Sequence, residues 1–354
     1  MFSRLNEVML KALIVVLLLP GIVRGQEAVE AASWHQVDQA LVMALLAELP
    51  TNRAGHRTPE DVAGLQQTEE FVLGKLEALG LTPHTQEVER PDRFARLTPE
   101  EAPTPRNIWV DLHGEGESAN EWLVLMAHMD AVVGSPGADD NGTGVVALLE
   151  AARLLKDRPR QRSVRLLFTT LEEIGLVGAR HHVTEHIEPA VDRGEMSIFG
   201  AVSLEMLGYY SDEPGSQRSP LPPMEGFQQP DRGNFLAILG VKRHQPFTTA
   251  LAAAMERAEP EADVVRIDMF VVPPPDLMRS DHAEFLIRGW PGAMLTDTAN
   301  FRNPHYHTPG DTADTLDPMR FARAVSQVIG AANELLDPAP AEAELDKKHD
   351  AETP

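Results

Sequence analysis

Apolar side chains recur at helical spacing in two early stretches of this 354-residue chain. Val37, Leu41, Leu45 and Leu49 mark residues 35–49, and Val72, Leu73, Leu76 and Leu79 fall late in residues 59–79. Recurrence every three or four residues gathers side chains onto one stripe, so each stretch is predicted to be an amphipathic helix that packs on a sheet. Thr58, with Pro59 behind it and Asp61 three positions on, offers an N-cap and first turn for the second helix.

Further on, short apolar runs alternate with helical segments. Residues 108–112, 122–127, 164–169, 198–204, 235–239, 264–270 and 293–296 read as strands, the run at 164–169 being of the fully buried kind. Helical patterns occupy 142–155, 174–183, 246–256, 281–287 and 319–336. Strand-helix repetition predicts an α/β fold with a central, mostly parallel (mixed) sheet covered on both faces, a three-layer α/β/α sandwich. The rhythm lapses over 209–234, which is dense in Pro, Gly, Ser, Gln and charge. That segment follows closely on Glu205, so it is expected to wall a functional cleft. Residues 337–354 are rich in Pro and charge and are expected to form a solvated acidic tail.

The N-terminus changes the picture of location. Arg4 and Lys11 precede an uninterrupted apolar run from Ala12 to Leu19, closed by Pro20 and Gly21. This order predicts a secretory signal peptide over residues 1–25, too short for a confident membrane span, with an uncleaved anchor as the alternative. The expected product is one domain over 33–336, exported to the periplasm or medium, with no membrane contact beyond the signal segment. The chain has no cysteine, which excludes disulfides, thiolate metal ligands and a cysteine nucleophile. Its formal charge of -23 repels phosphate backbones, so nucleic acid is excluded as an expected partner.

Candidate chemistry sits where strands end. The segment AHMDAVVGSPGADDNGTG brings His128, Asp130, Asp139 and Asp140 to the carboxyl end of one predicted strand, where parallel sheets bind ligands. A neutral imidazole at His128 suits zinc, and Asp130 suits the role of orienting it or a general base. A turn rich in Asp, Asn and Gly for conformational reasons accounts for the same residues without a metal. LEEIG follows another buried strand, and its adjacent carboxylates are costly to bury without a cation. Glu173 is assigned as a ligand and Glu172 as the base that takes a proton from a metal-activated water. Glu205 ends a third strand, and His307 lies in the loop NPHYHTPGDT.

The ordered set His-x-Asp, Gly-Ala-Asp-Asp-Asn-Gly-Thr-Gly, Glu-Glu-Ile-Gly, Leu-Glu-Met-Leu-Gly, Ser-Asp-His and Tyr-His-Thr-Pro-x-Asp-Thr, running from about Asn107 to Leu316, resembles peptidase family M28. These are the dizinc aminopeptidases related to glutamate carboxypeptidase II. The resemblance implies a zinc-exopeptidase (phosphorylase/hydrolase-like) fold and two zinc ions bridged by Asp140. His128 and Glu205 would complete one site, Glu173 and His307 the other. It further implies Glu172 as base, Tyr306 as the tyrosine that polarises the scissile carbonyl, and Asp130 as a supporting carboxylate. Glu205 departs from the Asp that many members carry. Peptides with a free N-terminus are the expected substrates. The alternatives on the same scaffold are a single-zinc glutaminyl cyclase-like acyltransferase, a carboxypeptidase or dipeptidase, and a non-catalytic receptor-like module.

Overall fold

The computed structural model describes residues 37–219 and 229–337. The predicted signal segment and tail, and the centre of the 209–234 segment, lie outside these residues.

Two helices come first, α1 (Gln39–Glu48) and α2 (Pro59–Ala78). The apolar stripe of α1 runs through Val42, Leu45, Leu46 and Leu49, whereas Leu41 is exposed, a one-residue correction of phase. Thr58 caps α2 as expected: its hydroxyl accepts from the Asp61 amide at 3.1 Å, and the Asp61 carboxylate answers the Thr58 amide. Strand β1 (His84–Glu87) and the single turn α3 (Asp92–Ala95) were not foreseen. Three of the four β1 residues are exposed, so no apolar alternation announces that edge strand.

Apart from α6, which the sequence pattern does not announce, the remaining elements follow the predicted order: β2 (Arg106–Leu112), β3 (Glu121–His128), α4 (Gly144–Leu155), β4 (Ser163–Thr169), α5 (Val177–His182), α6 (Glu188–Asp192), β5 (Ser197–Glu205), β6 (Leu236–Leu239), α7 (Gln245–Ala258), β7 (Val264–Ile267), α8 (Ala283–Ile287), β8 (Gly292–Thr296) and α9 (Pro318–Leu336). The eight strands form one sheet in the order β1-β2-β4-β3-β5-β8-β6-β7. Its centre, β4-β3-β5-β8, is parallel, and so is β6 with β7, while β1-β2, β2-β4 and β6-β8 are antiparallel.

Strand β3 shows how the layers are held. Leu123, Leu125 and Ala127 point into a core shared with α1, α2, α4, α7 and α9. Trp122, Val124 and Met126 point to the other face, against Val183 and Ile187 beyond α5 and Phe285 of α8. A strand buried on both faces cannot show polar alternation, which is why its sequence reads as an unbroken apolar run. Two helices begin later than their patterns suggest. Residues 138–143 wind irregularly before α4, and Ile174–Leu176 form a turn before α5. Both irregular stretches carry candidate ligands or lie beside them.

Candidate metal centre and active site

Each candidate side chain is delivered by the carboxyl end of a central strand or by an adjoining loop, and polar contacts brace those loops. His128 ends β3, and the chain then turns through a loop gripped by Arg53. That buried guanidinium donates to the carbonyls of Met129, Pro50, Pro136 and Gly137 at 2.7 to 2.9 Å. The Asp311 carboxylate accepts from the Asp139 and Asp140 amides at 2.9 and 3.1 Å. Asn141 donates to the Leu204 carbonyl and accepts from the Met206 amide, tying this loop to the end of β5. Asp140 is thereby fixed from three directions.

The Asp130 carboxylate accepts from two consecutive backbone amides, Glu172 at 3.0 Å and Glu173 at 3.1 Å. Its backbone carbonyl also takes the Nδ1 side of His128 at 3.0 Å, so the histidine presents Nε2 to the cluster. The backbone at Leu171 and Leu176 is left-handed, with φ of 56° at each, which turns the two glutamates back over the sheet end. Ser280 donates to Glu205 Oε2 at 2.8 Å and frees Oε1 to face His128.

Asp140 stands between two imidazoles. Its Oδ1 lies 3.3 Å from His128 Nε2, which is also 3.3 Å from Glu205 Oε1. Its Oδ2 lies 3.0 Å from His307 Nε2, which is 3.2 Å from Glu173 Oε2. Two trios thus share one aspartate through different oxygens. Glu172 belongs to the same cluster, since donor atoms of His128, Glu172 and Glu205 lie within 4.8 Å of one another.

The electrostatics follow from this crowding. Burial pushes Glu172 well above the usual carboxylate range, and Glu173 and Glu205 add to the effect against the pull of His128. Burial and the Asp140 carboxylate push Glu173 up to about 7. Burial alone would lower both imidazoles. Glu205, Glu172 and the neighbouring aspartates instead raise His128 well above its ordinary value, and Asp140 and Glu173 bring His307 to about 9. Asp140 stays low despite burial, because both histidines donate to it.

The donor set fits divalent zinc. Two ligands about 2.1 Å from a tetrahedral centre are about 3.4 Å apart, close to the 3.0 to 3.3 Å separations within the two trios. Glu173 Oε1 is buried with no hydrogen-bond partner among the described residues, as an oxygen kept for a cation would be.

A cleft of about 380 Å³ opens on this cluster. Phe235, Phe270, Leu277, Met294 and Phe301 form its apolar wall, and Gln217 and Arg218 line it from the 209–234 segment. Tyr306 stacks on His307 with ring centres 3.7 Å apart. Burial and the nearby Asp140 raise its phenol, so the hydroxyl keeps its proton. Nearby, Asp281 accepts from Thr169 Oγ1, while His282 contacts Ser203 Oγ and the Leu277 carbonyl, so this pair braces the cleft loop.

His128, Asp140, Glu172, Glu173, Glu205, His307, Tyr306 and Asp130 are therefore gathered within one site. Sequence reasoning did not find Arg53 or Arg279, and it gave Ser280 and Asp311 no role although it quoted both residues in motifs. Arg53 has no motif around it, and three of its four partners are backbone carbonyls far along the chain, those of Met129, Pro136 and Gly137.

A mixed α/β sheet with paired imidazole–carboxylate trios at the carboxyl ends of its parallel central strands is the architecture of a metallopeptidase. The chain belongs to peptidase family M28, whose sequence pattern matches residues 107–332. It is 32% identical over 253 residues to the uncharacterized protein YfbL of Escherichia coli, covering 66% of this chain and 74% of that protein. It is 40% identical over 86 residues to aminopeptidase YwaD of Bacillus subtilis, spanning 24% of this chain and only 18% of that one. Among solved structures, the fold matches BSAP, a zinc aminopeptidase from Bacillus subtilis, with TM-score 0.63, 16% identity and coverage of 86% and 96%. It also matches Porphyromonas gingivalis glutaminyl cyclase, with TM-score 0.58, 17% identity and coverage of 84% and 98%.

Proposed function

We propose that this chain is an exported zinc aminopeptidase, with one zinc ion held by His128, Asp140 and Glu205 and a second by His307, Asp140 and Glu173. The observation that carries this reading is the division of Asp140 between two imidazoles, each with a carboxylate of its own. Relatives named as aminopeptidases support the choice of a free peptide N-terminus as substrate. Zinc, when bound, supplies a Lewis acid that polarises the scissile carbonyl and acidifies the attacking water.

The chain's own residues do the rest. Glu172, crowded by carboxylates in the wall of the cleft, takes a proton from the attacking water and later gives it to the departing amine, so no proton is consumed overall. Tyr306 directs a protonated hydroxyl to the oxyanion of the tetrahedral intermediate. Asp130 keeps both glutamates in register by holding their amides. The carboxylates that line the cleft, Asp140, Glu172, Glu173, Glu205 and Asp276, draw in the substrate's free α-ammonium, which a blocked peptide lacks.

The export component rests on the character of residues 1–25. Among the described residues, no helix is long and apolar enough to cross a membrane.

The test compares free and N-acetylated peptides with enzyme stripped of metal and then reloaded with zinc. Zinc-dependent cleavage of the free peptide alone is expected, with a loss of roughly 10²- to 10⁴-fold in Glu172→Gln. Equal cleavage of the blocked peptide contradicts the reading, as does pyroglutamate formation by a protein carrying one zinc per chain.

A further inference from the structure

Arg279 immediately precedes the serine that holds Glu205, in the loop between β7 and α8. Its Nη2 donates to the Tyr306 phenol oxygen at 2.7 Å. Its Nη1 is anchored to Asn300 Oδ1 at 3.0 Å and Asp276 Oδ1 at 3.3 Å. The guanidinium carbon stands 5.6 Å from the Tyr306 ring centre, and the same ring stacks on His307. Tyr306 is thus held at its oxygen by one residue and along its ring by another.

A phenol has one hydrogen to give and lone pairs to accept with. When a cationic donor occupies a lone pair, the hydroxyl hydrogen must point elsewhere, and it becomes a stronger donor because the two bonds polarise one another. Arg279 and Tyr306 both line the cleft. We propose that Arg279 is a positioning residue for peptide hydrolysis, which fixes the Tyr306 hydroxyl toward the cleft and strengthens the hydrogen bond it gives to the oxyanion. This rests on the aminopeptidase reading above. The contact of Arg279 with Tyr306, at 2.7 Å, is shorter than its ion pair with Asp276, at 3.3 Å.

The experiment is a double-mutant cycle on the zinc-loaded enzyme, with Arg279→Met, Tyr306→Phe and the pair combined. Arg279→Met is expected to lower kcat by roughly tenfold to a hundredfold, the loss of one hydrogen bond to a charged donor, while KM changes by less than about twofold. In the Tyr306→Phe background the same change has no further effect. Arg279→Lys, which keeps a charge and a donor, recovers part of kcat and serves if the methionine variant folds poorly. A readout apart from turnover is the binding of an aminoacyl boronic acid, which adopts a tetrahedral anion. Its affinity falls with kcat in Arg279→Met, while that for the free amino acid is kept.

An unchanged kcat in Arg279→Met overturns the proposal. So does a rise in KM that persists in the Tyr306→Phe background, since the arginine would then touch the substrate itself. A wild-type protein with no peptidase activity and no boronate binding fails earlier, and removes the functional reading rather than the role of Arg279 within it.

Discussion

Replacing Asp130 with asparagine tests how far the centre depends on residues that never meet the metal. The side chain is fully buried, and its two oxygens accept from the Glu172 and Glu173 amides at 3.0 and 3.1 Å. Hydrogen bonds to a charged group contribute about 1.5–3 kcal/mol each. Asparagine preserves the shape but keeps only one acceptor oxygen. One amide retains a neutral bond, and the other faces an NH₂ group and is left buried without a partner. The cost should be about 2–4 kcal/mol, or a Tm lower by roughly 5–15 °C. The two amides belong to the proposed base and a proposed ligand, so zinc should also bind roughly 10- to 100-fold more weakly. The assay is competition for zinc against a chromophoric chelator at pH 7.5, paired with a thermal melt of the metal-loaded protein. Zinc affinity within threefold of wild type, at unchanged Tm, would refute the claim that Asp130 orders the glutamate loop.

Three further outcomes follow from the geometry. Arg53→Met leaves the carbonyls of Met129, Pro50, Pro136 and Gly137 without their donor and removes a buried cation that interacts with Asp311, Asp140, Asp130 and Glu173; a stability loss of about 3–5 kcal/mol is expected in urea titration, and a loss under 1 kcal/mol would contradict it. His282 is buried and brought down to about 4 by desolvation; its contribution is therefore full above the unfolded value of about 6.5 and fades as pH falls toward 4, by up to about 1.4 kcal/mol per pH unit. The stability gap between wild type and His282→Gln should accordingly narrow from pH 7.5 to pH 5.0, and parallel curves would rule this out. A Cβ at Gly64 would stand 1.5 Å from the Asn52 carbonyl oxygen, so Gly64→Ala should displace α2 from the Arg53 loop and destabilise by about 3 kcal/mol in the same titration.

The strand-helix alternation and the acidic and histidine clusters at strand ends were legible because both are local patterns. Burial on both faces makes β3, β4 and β5 continuous apolar runs, and such runs at once identify central parallel strands and locate their carboxyl ends. Strand β1 was invisible because an edge strand of four mostly exposed residues carries no hydrophobic rhythm. The antiparallel pairings of β2 with β4 and β6 with β8 were equally hidden, since direction depends on how the chain crosses the sheet. The helix before Val177 failed to form because the Asp130 carboxylate captures the Glu172 and Glu173 amides and bends the chain there. Arg53, Arg279 and the role of Ser280 escaped notice for a related reason. Each acts on a partner distant in sequence, through contacts that no spacing rule encodes.

The central claim is that Asp140 divides two zinc ions between two separate trios. Anomalous scattering at the zinc edge, from crystals of the zinc-loaded protein, tests this most directly. Two peaks about 3.5–4 Å apart are expected, one among His128, Asp140 and Glu205 and the other among His307, Asp140 and Glu173. A single peak, or zinc bound without Asp140, would contradict the account.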